Sequence, residues 1–132
     1  MPAFPSITHV AVTVTDLERS IRWYSALFGA APVLDEDEQI GGFHHSVYAL
    51  EGGQLFGLHT HPQAADDSFD EHRTGLDHVS FACRDRSEIE DWSRRLDELS
   101  IDHGDIVDAH YGTGLSFRDP DGIALEFFAP PA

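Results

Sequence analysis

Two histidines and one glutamate stand where this chain of 132 residues offers chemistry. His9 opens the stretch His9-Val10-Ala11-Val12-Thr13-Val14-Thr15-Asp16, and His78 opens His78-Val79-Ser80-Phe81-Ala82-Cys83-Arg84-Asp85 at an offset of 69 residues. Either histidine alone reads as a strand residue satisfied by hydrogen bonds. Their equivalence in two copies of one segment favours a shared role. Glu126 interrupts the apolar run from Ile123 to Phe128, where an unpaired carboxylate is costly unless a cation meets it. Were the three to share a divalent metal with open positions, the set would suit Fe(II) and would also serve Mn(II), Zn(II) or Co(II). A metal so held chelates adjacent substrate oxygens, polarises a carbonyl and stabilises negative charge as it develops.

The elements that position these residues follow from the same repeat. With the offset kept and no gap, Trp23 falls on Trp92, Leu27 on Leu96, Tyr48 on Phe117, Gly53 on Gly122 and Pro62 on Pro131. Residues 7–14 alternate apolar and small polar side chains, as a half-buried strand does, and Thr15 with Glu18 forms a capping-box pattern that opens a helix. Leu17, Ile21, Tyr24 and Phe28 make the apolar stripe of that helix. In the second copy Asp85 and Glu88 repeat the cap, and Ile89, Trp92, Leu96 and Leu99 recur at helical spacing. Three extended stretches follow each helix, over 32–37, 44–51 and 54–60, then over 101–108, 113–118 and 123–128. Glu51-Gly52-Gly53-Gln54 and Asp119-Pro120-Asp121-Gly122 are hairpin turns. The pattern predicts an α+β chain of two tandem βαβββ modules, over 7–62 and 75–130, joined by a polar, acidic linker over 63–74.

Composition narrows the partners. Twenty-four acidic residues against eight basic ones leave a formal charge of −16, which repels nucleic acid and anionic membrane surfaces alike. All eight basic residues are arginine, so no lysine is present to form a Schiff base or act as a general base. No apolar run approaches the roughly 20 residues that span a bilayer, and Met1 to Ser6 lacks a secretory pattern, so a cytoplasmic location is expected. Cys83 lies in an apolar run and reads as a small buried side chain without a chemical role.

These residues resemble the vicinal-oxygen-chelate superfamily, which includes glyoxalase I, fosfomycin-resistance thiol transferases, methylmalonyl-CoA epimerase, extradiol dioxygenases and bleomycin-binding proteins. The resemblance rests on Ile7-Thr8-His9-Val10-Ala11-Val12, Asp16-Leu17-Glu18-Arg19-Ser20 with Trp23-Tyr24, Gly75-Leu76-Asp77-His78-Val79, and Phe117-Arg118-Asp119-Pro120-Asp121-Gly122 leading to Leu125-Glu126-Phe127. It implies one domain over 1–132 whose two modules form curved, half-barrel mixed sheets with the helices outside. It also implies a divalent metal (Fe, Mn, Zn or Co) held by His9, His78 and Glu126, and a homodimer. The 69-residue offset puts Gly57 at the fourth ligand position, where glyoxalase I-like enzymes carry a carboxylate, and this counts against the glyoxalase I reaction. Ala11 stands where fosfomycin-type enzymes carry a hydroxyl residue, which counts against thiol transfer.

Further candidates surround that set. His59 lies two residues beyond Gly57 on the same strand face, about 6.6 Å further along, and is placed to ligate by a long reach or to act as a general acid or base. His110 and Tyr111 precede Gly112-Thr113-Gly114 in a loop that would overhang the sheet and hydrogen-bond a bound anion or phenol. His61 ranks below these. Arg118 is expected to pair with Asp119 or Asp121, and His44, His45, His72 and His103 read as surface or filler residues. Two functions follow. One is a metal-dependent enzyme acting on a small oxygenated substrate, with extradiol-dioxygenase-like or isomerase/lyase-like chemistry. The alternative is a non-catalytic binding protein of the bleomycin-resistance type, which sequesters a cationic drug and which the negative charge favours.

Overall fold

In a computed structural model of the chain, which describes residues 1–63 and 67–132, the polypeptide separates into two compact units, Met1–Asp66 and Asp67–Ala132. The first contains β1 (His9–Thr13), α1 (Leu17–Phe28), β2 (Leu34–Glu38), β3 (Phe43–Ala49) and β4 (Leu55–Thr60). Its sheet runs β1-β4-β3-β2, with β1 parallel to β4 and the other pairs antiparallel. The second contains β5 (Val79–Ala82), α2 (Arg86–Glu98), β6 (Val107–Ala109), β7 (Gly112–Arg118) and β8 (Ala124–Ala129), with the order β5-β8-β7-β6 and the same pattern of directions. Each unit is therefore the βαβββ module that the repeat predicts.

Strand alternation divides each sheet into a face that meets the helix and a face that does not. In the first unit Val12, Ser46, Tyr48, Phe56 and Leu58 are buried with Ser20, Tyr24 and Leu27 of α1. The Tyr48 hydroxyl shares a 2.8 Å hydrogen bond with Ser25 and donates to the Ile21 carbonyl at 3.2 Å, so the polar tip of this buried ring is satisfied. In the second unit Leu115, Phe117, Leu125, Phe127 and Ala129 are buried with Ile89 and Leu96 of α2, and Trp92 stacks on Phe127 with ring centroids 4.2 Å apart. Cys83 belongs to this core, and burial pushes its thiol up to about 11, which fits the absence of a chemical role.

Three details differ from the sequence reading. The first helix is capped by Asp16, whose carboxylate accepts from the Arg19 backbone N–H at 3.1 Å, one residue beyond the expected Thr15. In the second helix Asp85 caps as expected, but Glu88 accepts from the Arg84 N–H. The stretch 101–108 forms a strand only from Val107; upstream, a lone bridge joins His103 to Phe117. There the His103 ring is tied to the Gly104 carbonyl at 2.7 Å and to Asp97, at the end of α2, at 2.8 Å. The positive φ expected at the hairpins is present, at Gly53 (93°) and Gly122 (79°). Residues 64–66 of the expected linker lie outside the described residues. From Asp67 onward that linker is fastened to the second unit, through the Phe69 N–H to the Asp121 carbonyl and through Glu71 to Arg118.

Candidate metal centre

In the second unit, the sheet face away from α2 brings two of the expected ligands together. Ser80, Glu126 and Ser116 lie in one cross-strand row, and His78, two residues before Ser80, immediately precedes β5. His78 Nε2 approaches Glu126 Oε1 to 3.9 Å. That separation is too long for a hydrogen bond, yet short enough for both atoms to reach one ion with bonds of about 2.1 Å after a modest side-chain adjustment. Each group is oriented by a neighbour. His78 Nδ1–H donates to Asp77 Oδ1 at 2.7 Å, which leaves the Nε2 lone pair facing Glu126. The Ser80 hydroxyl donates to Glu126 Oε1 at 2.9 Å. Beneath the carboxylate, a β-carbon on Gly114 would lie 3.1 Å from Glu126 Oε2, so any side chain there would press on the carboxylate and shift it by a few tenths of an ångström. Glu126 is partly covered, with 24% of its side chain exposed, and among the described residues it has no arginine partner.

Tyr111 and His110 form the two-residue turn between β6 and β7, and both are exposed. Tyr111 nevertheless stacks on Phe128, with ring planes 15° apart and centroids at 6.3 Å. Phe128 is two residues from Glu126 on the same strand, so the turn leans toward the face that carries the carboxylate.

In the first unit the corresponding face carries His9, Ala11, Thr13, Gly57, His59, Val47 and His45. His9 Nδ1 shares a 2.9 Å hydrogen bond with the Thr8 hydroxyl. Thr8 and Asp77 are equivalent under the 69-residue offset, so in both copies the residue before the histidine engages Nδ1 and leaves Nε2 available. Gly57 pairs with Ala11 on β1, and His59 fills the space above it: its Nε2 lies 3.5 Å from where a β-carbon on Gly57 would stand. His59 thus folds back over Gly57 and does not extend further along the strand. It stacks on Phe43 at 4.7 Å, meets His45 edge-on at 5.5 Å and has His61 at 6.1 Å. Burial, followed by the nearby His45, His61 and His9, holds its pKa below the ordinary imidazole value. At neutral pH it therefore carries a free lone pair.

Sequence reasoning missed the supporting residues. Asp77, Thr8, Ser80 and Gly114 precede or oppose the ligand candidates in register, and the repeat singles out two of them as equivalents. His45, read as a surface or filler residue, is half-buried on the same face as His59. Arg118 donates to Glu71 through contacts of 2.6 and 3.1 Å, a partner that its neighbours in sequence do not announce; this bond lowers the Glu71 pKa to about 2. Asp119 instead caps its own turn, accepting from the backbone of Asp121 and Ile123.

Known proteins bear on this arrangement. The chain is 27% identical over 123 residues to the metallothiol transferase FosB of Staphylococcus saprophyticus, which covers 92% of this chain and 74% of the relative. It is 24% identical over 124 residues to the putative ring-cleaving dioxygenase MhqA of Bacillus subtilis, covering 94% of this chain but only 39% of that protein. Among solved structures, a glyoxylase/bleomycin resistance protein/dioxygenase domain from Frankia sp. EAN1pec superposes with a TM-score of 0.87 at 29% identity, covering 98% of this chain and all of that one. The fosfomycin resistance protein FosX of Listeria monocytogenes, complexed with Mn(II) and 1S,2S-dihydroxypropylphosphonic acid, shares the fold at a TM-score of 0.69 and 14% identity, with 98% and 95% of the two chains covered. The family model for the Glyoxalase/Bleomycin resistance protein/Dioxygenase superfamily matches residues 6–127, and the chain belongs to that superfamily.

Proposed function

We propose that the protein is a metal-dependent enzyme acting on a small oxygenated molecule, with His9, His78 and Glu126 holding one divalent ion. The observation that carries this reading is the approach of His78 Nε2 to Glu126 at 3.9 Å, each steered by its own neighbour. His9 joins them on the strength of its equivalence to His78 and the matching Thr8 contact, whether the two modules of a site come from one chain or from two copies in a homodimer. Two imidazoles and a carboxylate fit Fe(II), Mn(II), Zn(II) or Co(II), and a bound ion would supply a Lewis acid for adjacent substrate oxygens.

The chain's own residues would do the rest. His59, neutral through burial, would take a proton from the substrate or return one. Gly57 withholds a fourth side-chain ligand, and the space it leaves is taken up by the His59 ring. Tyr111 and His110, at the turn that leans on Phe128, would donate hydrogen bonds to a phenol or an anion. Kinship with both a metallothiol transferase and a putative ring-cleaving dioxygenase supports oxygen-chelating chemistry as a class. The open coordination and Ala11 favour extradiol-dioxygenase-like or isomerase/lyase-like reactions over thiol transfer.

A Co(II)-substituted protein tests the substrate class. Catechols and α-hydroxy carbonyl compounds should shift its visible d–d bands at sub-millimolar concentration, and unchanged bands with all of them would contradict the proposal. The charge of −16 favours a second reading, a cytoplasmic protein that sequesters a cationic drug without catalysis. That reading predicts tight drug binding that survives removal of the metal.

A further inference from the structure

The acidic edge strand β2 meets two adjacent histidines of β3, and strand alternation sorts them into two trios on opposite faces of the sheet. On one face Asp35 and Asp37 take His44: its Nε2 bonds Asp35 at 2.5 Å and its Nδ1 bonds Asp37 at 2.7 Å, with Ser46 adding a 2.8 Å bond to Asp35. Both ring nitrogens face oxygens that only accept, so His44 is an imidazolium locked between two carboxylates, and its pKa is raised by those two bonds. That trio is complete in itself.

The other face repeats the pattern with longer acids and leaves it open. Glu36 lies directly across from His45, and Glu38 is two residues along on the same side. Ligand atoms of Glu36, Glu38 and His45 all fall within 4.8 Å of one another. Only 15% of the His45 side chain is exposed, and its Nε2 is closed off from solvent with no hydrogen-bond partner; Glu36 Oε1, the facing oxygen, stays 3.5 Å away. Charged residues on an edge strand ordinarily guard against strand pairing. Guarding does not explain a shielded ring nitrogen aimed at two carboxylates and bonded to neither, since a buried polar nitrogen left without a partner is costly.

We propose that Glu36, Glu38 and His45 form a second divalent-cation site, for a zinc-class transition metal, independent of the His9/His78/Glu126 set. One imidazole with two carboxylates matches the borderline donor preference of Zn(II), and the remaining position is left to water. Glu36 and Glu38 are partly exposed, which provides the entry path.

The test uses tag-free, chelator-stripped protein carrying His9→Ala and Glu126→Gln, so that the first set is disabled. Calorimetric titration with Zn(II) should show about one equivalent bound. Adding His45→Ala or Glu38→Gln should weaken that binding at least tenfold, whereas adding His44→Ala should leave it unchanged. Circular dichroism checks that each variant remains folded, and Glu38→Gln, a near-isosteric change on a half-buried side chain, guards against a His45 variant that does not fold. Absence of Zn(II) binding in the double variant, or binding indifferent to both His45→Ala and Glu38→Gln, would overturn the proposal while leaving the first metal set untouched.

Discussion

The imidazole of His59 occupies the room that a side chain on Gly57 would need: its Nε2 lies 3.5 Å from the point where a β-carbon on Gly57 would stand. The nearest other atom, Ala11 Cβ, is 3.4 Å from that point, an ordinary contact. Gly57→Ala should therefore be tolerated, with a stability change between zero and a gain of about 1 kcal/mol from the lost chain entropy of glycine. Gly57→Glu should push His59 aside and, by adding a carboxylate at the fourth position, tighten metal binding about tenfold while slowing turnover. Urea unfolding and metal titration of both variants check this; a Gly57→Ala protein destabilised by more than about 1 kcal/mol would show that the space is not as open as the geometry implies.

Ser80 acts through Glu126. Removing its hydroxyl by Ser80→Ala deletes the 2.9 Å hydrogen bond that aims the carboxylate at His78. The expected result is a 10- to 100-fold loss of metal affinity with little change in melting temperature, because Ser80 is exposed. Equal metal affinity in wild type and variant would remove Ser80 from the account.

Gly112, at the start of β7, has φ of 149°, and a β-carbon there would sit 2.2 Å from Phe128 Cζ and 2.5 Å from the Ala129 carbonyl oxygen. The second neighbour is backbone and cannot swing away. Gly112→Ala should cost about 2–4 kcal/mol, combining backbone strain with overpacking. It should also shift Phe128 and the Tyr111 ring stacked on it. Chemical denaturation measures the first effect, and Tyr111 fluorescence or ring chemical shifts measure the second.

The His44 trio gives the fold a pH signature. The raised pKa of His44 means that its contribution to stability is fully present below the ordinary imidazole value of 6.5 and is lost as pH rises through the folded value. Asp35, lowered first by its bond to His44, contributes above its ordinary 3.8 and loses that contribution as pH falls through its folded value. The trio is thus strongest between about pH 4 and 6.5. His44→Ala should be less stable than wild type by about 0.5–1 kcal/mol at pH 5.5, with the gap closing toward pH 9, as expected for a largely exposed ion pair. A gap that widens with pH would mean that His44 is held neutral.

Much of this was legible in the sequence, and the limits have physical causes. The 69-residue repeat predicted both modules, both helices and five of the six later strands, because buried periodicity and turn glycines leave a local imprint. It equally picked out His9 and His78, and the break in the apolar run picked out Glu126. The stretch 101–108 misled because its upstream part is held by side-chain bonds of His103 to Gly104 and Asp97, which composition does not reveal. Arg118 and Glu71 are 47 residues apart, and no local pattern announces such a pairing. His45 and the acids Glu36 and Glu38 were passed over for a related reason: their grouping depends on the register between β2 and β3, which puts Glu36 opposite His45 and which spacing alone does not supply.

The most direct test of the central claim is the metal content of tag-free wild-type protein, beside His9→Ala, His78→Ala and Glu126→Gln variants, after reconstitution with Fe(II), Mn(II) or Zn(II) and removal of loosely held ions. The account predicts that wild type retains at least one tightly bound equivalent of one of these metals, and that each of the three substitutions removes one equivalent while the protein stays folded. A wild type that holds none of them, or a Glu126→Gln variant that retains as much as wild type, would contradict it.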